Sequence, residues 1–407
     1  LQARGHFVTL ATLPAYRAEV EREGLTFLAV GPDLDPTDRA LAARIMDARR
    51  GTEYLFRHVL MPGVRQAWAD LRDAVAAADL VISHPVTFAL PLLCEELGRP
   101  WASYVLAPMS FFSAHDVPVF PPAPWLRPLA ARSPWLSRRL VAVVRDVTRG
   151  WTTEVARLRA ERGLPPGRHP VFEGQHSATL VLGLFSPLLA SPQPDWPANV
   201  RVTGAIPYNG PQTHVLSDDL ARFLADGPPP IVFTLGTSAV AAAGPFYDES
   251  VKAVRALGHR AVLLVGQHAE NQPSAPAGPD VLVVPFAPHV RLFPRAAAIV
   301  HQGGAGTLHQ ALASGHPMLV VPHAHDQPDN AYRAERLGVA RVLRPSRYRA
   351  RRVAEVLRRL LGEPSYAQAA ERVGAAVRAE DGVSAACDAI DATSVAASAR
   401  SAITPPA

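Results

Sequence analysis

Two stretches of this chain say nearly the same thing. Residues 1–12 read LQARGHFVTLAT and residues 254–265 read VRALGHRAVLLV: a helix end, Gly-His, then an apolar run rich in β-branched residues. A helix that closes on glycine and leads into a strand is one turn of an α/β winding, so the echo predicts two similar α/β halves in one chain. Ahead of the second copy stands IVFTLGTSAVAAAGPFYDESVKA, which reads as a strand, a Gly-containing turn and the front of a helix. The first copy has nothing before it. On this alignment roughly two dozen residues, carrying the first half's opening strand and loop, are expected to lie outside the sequence.

The pattern between the two copies agrees. Short β-branched or aromatic runs, FVTLAT (7–12), TFLAVG (26–31), DLVISH (79–84) and WASYVLAP (101–108), alternate with Ala/Arg/Glu-rich helical stretches. A second series follows in IVFTLG (231–236), AVLLVG (261–266), VLVVPF (281–286), AAIVHQ (297–302) and PMLVVP (317–322). Strands alternating with helices predict parallel sheets wound on both faces. With 407 residues, 48% of them hydrophobic, the chain can fill two cores. The expected division is an N-terminal domain over 1–207, a linker over 208–230, a C-terminal domain over 231–365, C-terminal helices over 366–392 and a flexible tail over 393–407. Between the two series, VPVFPPAPWLRPLAARSPW (117–135) breaks the rhythm with prolines and reads as either a surface excursion or the apolar wall of an acceptor pocket.

Bulk features narrow the function. Basic groups exceed acidic ones by 41 to 36, but the arginines are scattered, which argues against a nucleic-acid partner. Cys94 and Cys387 are far apart with no metal spacing, so a reducing, cytoplasmic setting is expected. No run reaches the ~20 apolar residues that span a bilayer.

The chemistry concentrates in AAIVHQGGAGTLHQALASGHPMLVVPHAHDQPDNA (297–331). A strand ends near His301, a turn runs through Gly303, Gly304 and Gly306, and Thr307 opens a helix. Glycines let backbone N–H groups approach an anion closely, and the helix start adds free donors and a partial positive charge. A diphosphate suits such a turn. A P-loop would need Gly-Lys-Ser/Thr, and no lysine follows. A dinucleotide fingerprint would need a third glycine where His309 stands, although Asp326 lies about twenty residues on.

HQGGAGT, the strand GHPMLVVP, DQPDNA and the upstream PFAPHVRLFPRAA together resemble the nucleotide-sugar signature of the UDP-sugar-dependent glycosyltransferases, in the bacterial branch acting on natural products, sterols and rhamnolipid-type lipids. The resemblance implies a GT-B fold: α/β, with two Rossmann-like doubly wound parallel-sheet domains facing a cleft. It implies an inverting transfer of a hexose from a UDP- or TDP-sugar to a hydroxyl of an apolar small molecule or lipid, without a resident cofactor or metal. A lipid acceptor would bring peripheral membrane contact. In this resemblance Phe286 stacks on the base, Ala287 meets the base edge, and His289 belongs to the same block. His301, Gly303, Gly304, Gly306 and Thr307 hold the diphosphate, with Thr237 and Ser238 on its other side. Asp326 and Gln327 bond the sugar hydroxyls. Many members carry a glutamate for the ribose where this chain has His309, so ribose contact falls to His309, to Gln310 or to looser contacts.

The resemblance also implies a His or Asp base in the opening loop, beyond the residues given. Within the chain, His84 at a strand end and Asp116 as an orienting carboxylate are the candidates, with Phe111 and Phe112 placed to line an acceptor site or a core. Two lesser readings are a donor-binding homologue without turnover and an NAD-binding dehydrogenase. The D-x-D of PDLDPTD (32–38) reads as a helix start, and HAHD (323–326) lacks further ligands for a metal.

Overall fold

A computed structural model describes residues 1–35, 38–208, 215–274 and 278–403, without the side chains of Ser238 and 395–403. The C-terminal half is built on six parallel strands: β7 (Ile231–Thr234), β8 (Ala261–Leu264), β9 (Val281–Val284), β10 (Ala298–His301), β11 (Met318–Val320) and β12 (Ala340–Val342). Their spatial order is β12-β11-β10-β7-β8-β9. The order reverses between β7 and β10, and in a doubly wound sheet the crevice at that reversal is where ligands sit. Alternate residues of one strand feed opposite cores: Ile231 and Phe233 pack on one face with Leu263 and Val300, Val232 on the other with Val262 and Ile299. A sheet covered on both faces needs such unbroken apolar strands, and β7, β8 and β10 are buried throughout.

The N-terminal half carries β1 (Thr9–Thr12) and β2 (Thr26–Ala29) as a parallel pair, and β3 (Val81–Ser83), β4 (Trp101–Val105), β5 (Leu180–Gly183) and β6 (Val200–Val202) as a separate four-stranded parallel sheet. The two Gly-His phrases adopt the same backbone. Gly5 and Gly258 close their helices in the left-handed region, at φ 88 and 67 degrees, and each leads to the next strand. Strands β5, β6 and β12 were not anticipated by the runs quoted above.

The C-terminal helices return to the first half. The last helix, Gly382–Ile403, continues past residue 393, where a flexible tail was expected, and places Ile390 against Ala102, Leu180 and Leu182. Arg4 meets Asp388 and Asp391 of that helix at 2.7 and 2.8 Å. The proline-rich segment acts as a strap between halves: Val119 N–H donates to Asp329 Oδ1 at 2.9 Å, and Arg127 lies 3.7 Å from the centre of the Tyr332 ring. Residues 209–214 of the expected linker lie outside the described residues.

Candidate functional site

Strands β7 and β10 are neighbours, so the loops that follow them meet. Gly236 after β7 has φ 59 degrees, and a Cβ there would run into the Gln302 side chain from the loop after β10. Gly303 has φ 91 degrees, and its Cβ would stand 2.9 Å from Val320 Cγ1 and 3.2 Å from the Gln327 carbonyl. Both positions need glycine twice over, for conformation and for space. Gly304 then caps the helix Ala305–Ser314 and, as glycine, makes no side-chain cap bond to its first-turn amides. Gly306 is exposed, with no atom within 4 Å of where a Cβ would be. The helix mouth is therefore open, with its amide donors and partial positive charge directed at solvent.

Two side chains brace the turn from beneath. His301 is fully buried; its Nδ1 accepts from Gly303 N–H at 3.1 Å and its Nε2 stands 3.3 Å from Met318 Sδ. Burial pushes its pKa down to about 3, so the ring is neutral, with the proton assigned to Nε2. Sequence reasoning placed His301 on the diphosphate; the structure commits both ring nitrogens to the protein, and His301 shapes the turn instead. Thr307 is buried in the first helical turn, its Oγ1 3.5 Å from Gln302 Nε2.

Asp326 and Gln327 open the next helix, Gln327–Arg336, after the loop following β11. Burial raises the Asp326 carboxyl to about 6 against the opposing pull of its hydrogen bond from Asn330 Nδ2, 2.8 Å away. The same amide donates to the Gly303 carbonyl at 3.0 Å. Asn330 thus ties the glycine turn to the Asp326 loop, a role the sequence reading missed although DQPDNA contains it. The signal was the i, i+4 spacing from Asp326, which puts both on one helix face. Gln327 is buried, and its Oε1 accepts from His323 N–H at 2.8 Å. Between them His325 holds φ 57 degrees, an unusual conformation for a non-glycine residue.

The remaining expected donor residues follow β9 and β7. Phe286, after β9, is 57% exposed, whereas Ala287 is buried. His289 stacks on Phe293 at 4.2 Å and is driven by burial to about 4. Thr237 is exposed beside Gly236, and the Ser238 side chain lies outside the described residues.

Three expectations are corrected. His309 is not turned to a ribose: its Nε2 accepts from Ser186 N–H of the first half at 3.1 Å, and its Nδ1 donates to the Ala305 carbonyl at 2.7 Å. Gln310 Nε2 donates to the Tyr208 carbonyl at 3.2 Å, while its Oε1 is buried without a partner among the described residues. Asp116 does not orient a base. Its Oδ2 pairs with Arg333 at 2.5 Å, and Arg127 and Arg336 stand 3.9 Å from its Oδ1. Arg333, only 1% exposed, also holds Asp329 at 2.7 Å and the Leu189 carbonyl at 3.0 Å. His84 remains at the end of β3, its ring 5.3 Å from that of Tyr104, and burial lowers it to about 4. Its Nδ1 accepts from Val86 N–H at 3.4 Å, and so weak a base takes a proton poorly at neutral pH. Among the described residues no group of three metal-ligating side chains forms, and no helix is long and apolar enough to cross a membrane.

A six-stranded parallel sheet in this order, with a glycine turn at its reversal point and a second parallel α/β half, is the two-domain architecture of the GT-B class. The profile of the erythromycin biosynthesis protein CIII-like C-terminal domain matches residues 249–388. The O-mycaminosyltylonolide 6-deoxyallosyltransferase of Streptomyces fradiae is 32% identical over 397 residues, 95% of this chain and 90% of the relative. Two solved structures share the fold: the kitacinnamycin glycotransferase, with a TM-score of 0.71 at 21% identity over 96% of this chain and 92% of that one, and glycosyltransferase VinC in complex with DTDP, with 0.66 at 23% over 97% and 94%. The chain belongs to the natural-product glycosyltransferases of the GT-B fold, with an EryCIII-like C-terminal domain, and it is an enzyme of that family.

Proposed function

We propose that the protein moves a hexose from a TDP- or UDP-sugar to a hydroxyl of an apolar small molecule, with inversion at the anomeric carbon. The observation that carries this reading is the uncapped, open helix mouth at Gly304–Thr307. A diphosphate there accepts hydrogen bonds from amides already oriented, and the charge that grows on the leaving group is stabilised without reorganisation. Phe286 offers a half-exposed ring for the base, and Asp326 an acceptor for sugar hydroxyls. The Streptomyces fradiae relative is named for transfer of a 6-deoxyhexose and VinC was solved with DTDP, in keeping with a TDP-linked deoxysugar.

Calorimetry tests the donor side. TDP is expected to bind at least as tightly as UDP, and absence of binding by either nucleotide would remove the helix mouth from the site. Acceptor-dependent release of TDP, with a hydrophobic polyketide alcohol as acceptor, tests the transfer.

A further inference from the structure

The loop that carries Asp326 is held from both halves. His323 N–H and Ala324 N–H donate to Gln327 Oε1 at 2.8 and 3.4 Å, and Asp326 accepts from Asn330 at 2.8 Å, all within the C-terminal half. His325 is bonded across: its Nδ1 stands 3.2 Å from Thr52 Oγ1 of the first half. Burial drives the His325 ring down to about 4, so it is neutral, and a hydroxyl can serve Nδ1 in either tautomer. Among the described residues His325 is one of two non-glycine residues with positive φ, at 57 degrees. An L residue avoids that region unless its surroundings hold it there. Peptide planes are rigid, so the dihedrals at residue 325 set the direction in which the chain enters residue 326. Whatever holds His325 therefore also aims the Asp326 carboxylate.

Thr52 reaches this loop on an arm of the first half made of two short helices, Arg39–Ile45 and Gly51–Tyr54. The arm is fastened to the C-terminal half before it arrives. Arg39 Nε donates to the Ala241 carbonyl at 3.0 Å, and Arg39 pairs with Glu270 at 2.5 Å. That pair is exposed and contributes little. The stronger anchor is Met46, only 5% exposed, which joins the C-terminal core that holds Ile231 and Phe233. Between Met46 and Thr52 the chain is tightly specified. Asp47 Oδ1 accepts from Arg49 and Arg50 N–H at 2.9 and 2.7 Å and closes the turn between the helices. A Cβ on Gly51 would stand 2.1 Å from the Ile45 carbonyl oxygen, so glycine is what lets the second helix start against the end of the first. These contacts fix Thr52 relative to Met46, and hence relative to His325.

We propose, resting on the assignment of Asp326 to the sugar hydroxyls, that Thr52 is a positioning residue for sugar transfer: through His325 it holds the Asp326 loop in the geometry that meets the donor sugar. One half supplies the carboxylate and the other sets its aim. TDP and TDP-glucose are titrated against the full chain by calorimetry, and the readout is the affinity for TDP-glucose relative to that for TDP. A merely structural loss weakens both ligands together or lowers Tm, whereas a positioning loss moves the ratio. Asp326→Asn should lower the ratio about fivefold. Thr52→Val keeps the side-chain shape without the hydroxyl. It should lower the ratio about threefold or more, with TDP affinity unchanged and Tm within about 2 °C. Thr52→Ser keeps a hydroxyl and should return the ratio to within about twofold of the original. His325→Gly keeps the left-handed backbone without the bond, and adding Thr52→Val to it should change the ratio no further. An unchanged ratio in Asp326→Asn would overturn the sugar assignment and the role of Thr52 with it. A ratio lowered in Asp326→Asn but not in Thr52→Val, equal loss of TDP and TDP-glucose in Thr52→Val, or no recovery in Thr52→Ser would overturn the role of Thr52 alone.

Discussion

Replacing Asp326 by asparagine is expected to stabilise the protein at alkaline pH while weakening its grip on a sugar donor. Burial holds the Asp326 carboxyl at about 6 in the folded chain, with Asp329 adding to the rise and the Asn330 hydrogen bond opposing it. In the unfolded chain an aspartate titrates near ~3.9. Between these values the folded protein keeps a proton that the unfolded chain has released. Stability therefore falls as pH climbs from about 4 to about 6, and the full cost persists above that. Two pKa units correspond to about 3 kcal/mol, and partial contact with solvent sets the expectation at about 1–3 kcal/mol. Asparagine never ionises, and its carbonyl can still accept from Asn330 Nδ2, which now stands 2.8 Å from the carboxylate. Urea unfolding at pH 8 should show the variant more stable by that amount, with the gap narrowing below about 1 kcal/mol at pH 4.5. Donor turnover should fall in the same variant, because the acceptor-only group that suits sugar hydroxyls is lost. A gap independent of pH, or a variant less stable at pH 8, would refute the claim that a desolvated carboxylate sits in this loop.

Two substitutions probe the scaffold around it. Gly303→Ala forces a side chain into a left-handed turn 2.9 Å from Val320 Cγ1, so beyond ~1–2 kcal/mol of backbone cost the turn must shift. Calorimetry should show TDP affinity reduced about tenfold or more, and unchanged affinity would separate the turn from the diphosphate. Arg333→Met leaves Asp329 buried and unpaired and frees Asp116, a loss of about 3–5 kcal/mol by analogy with broken buried pairs. Thermal unfolding should drop by many degrees, and an unshifted Tm would deny the cluster its role in joining the halves.

The two-half architecture was legible in the Gly-His echo because a left-handed helix cap followed by a strand leaves a local signature, and Gly5 and Gly258 both occupy that conformation. The glycine turn was legible for a similar reason: at Gly303 the demand for a missing Cβ is set by neighbours a few residues away in the chain or on the adjoining strand. Strands β5 and β6 were overlooked because LVLG merges into a longer apolar stretch and VRV is three residues long, so neither shows a period. What the sequence concealed was partnership. His309, Gln310 and Asp116 each looked like site residues by position, yet each bonds a residue far off in the chain, Ser186, Tyr208 and Arg333, across separations of 123, 102 and 217 residues. Pattern along the chain carries no record of such contacts.

Those cross-half contacts change how the donor loop is held. The helix Gln327–Arg336 begins at the Asp326 loop, and three residues further into it Asn330 reaches back to the Gly303 carbonyl. One residue away on either side of that contact, Asp329 and Ala331 are fully buried, and Arg333 anchors the same helix to Asp116 and Leu189 of the first half. The helix before it is fixed the same way, through His309 to Ser186. Both helices that start at the site are thus bolted to the half that lacks the glycine turn. A rotation of one half against the other has to move the helix mouth and the Asp326 carboxylate with it or break a buried ion pair, and breaking that pair costs about as much as a single domain's net stability can spare. The orientation of the two halves and the geometry of the glycine turn and the Asp326 loop are therefore one property of this fold.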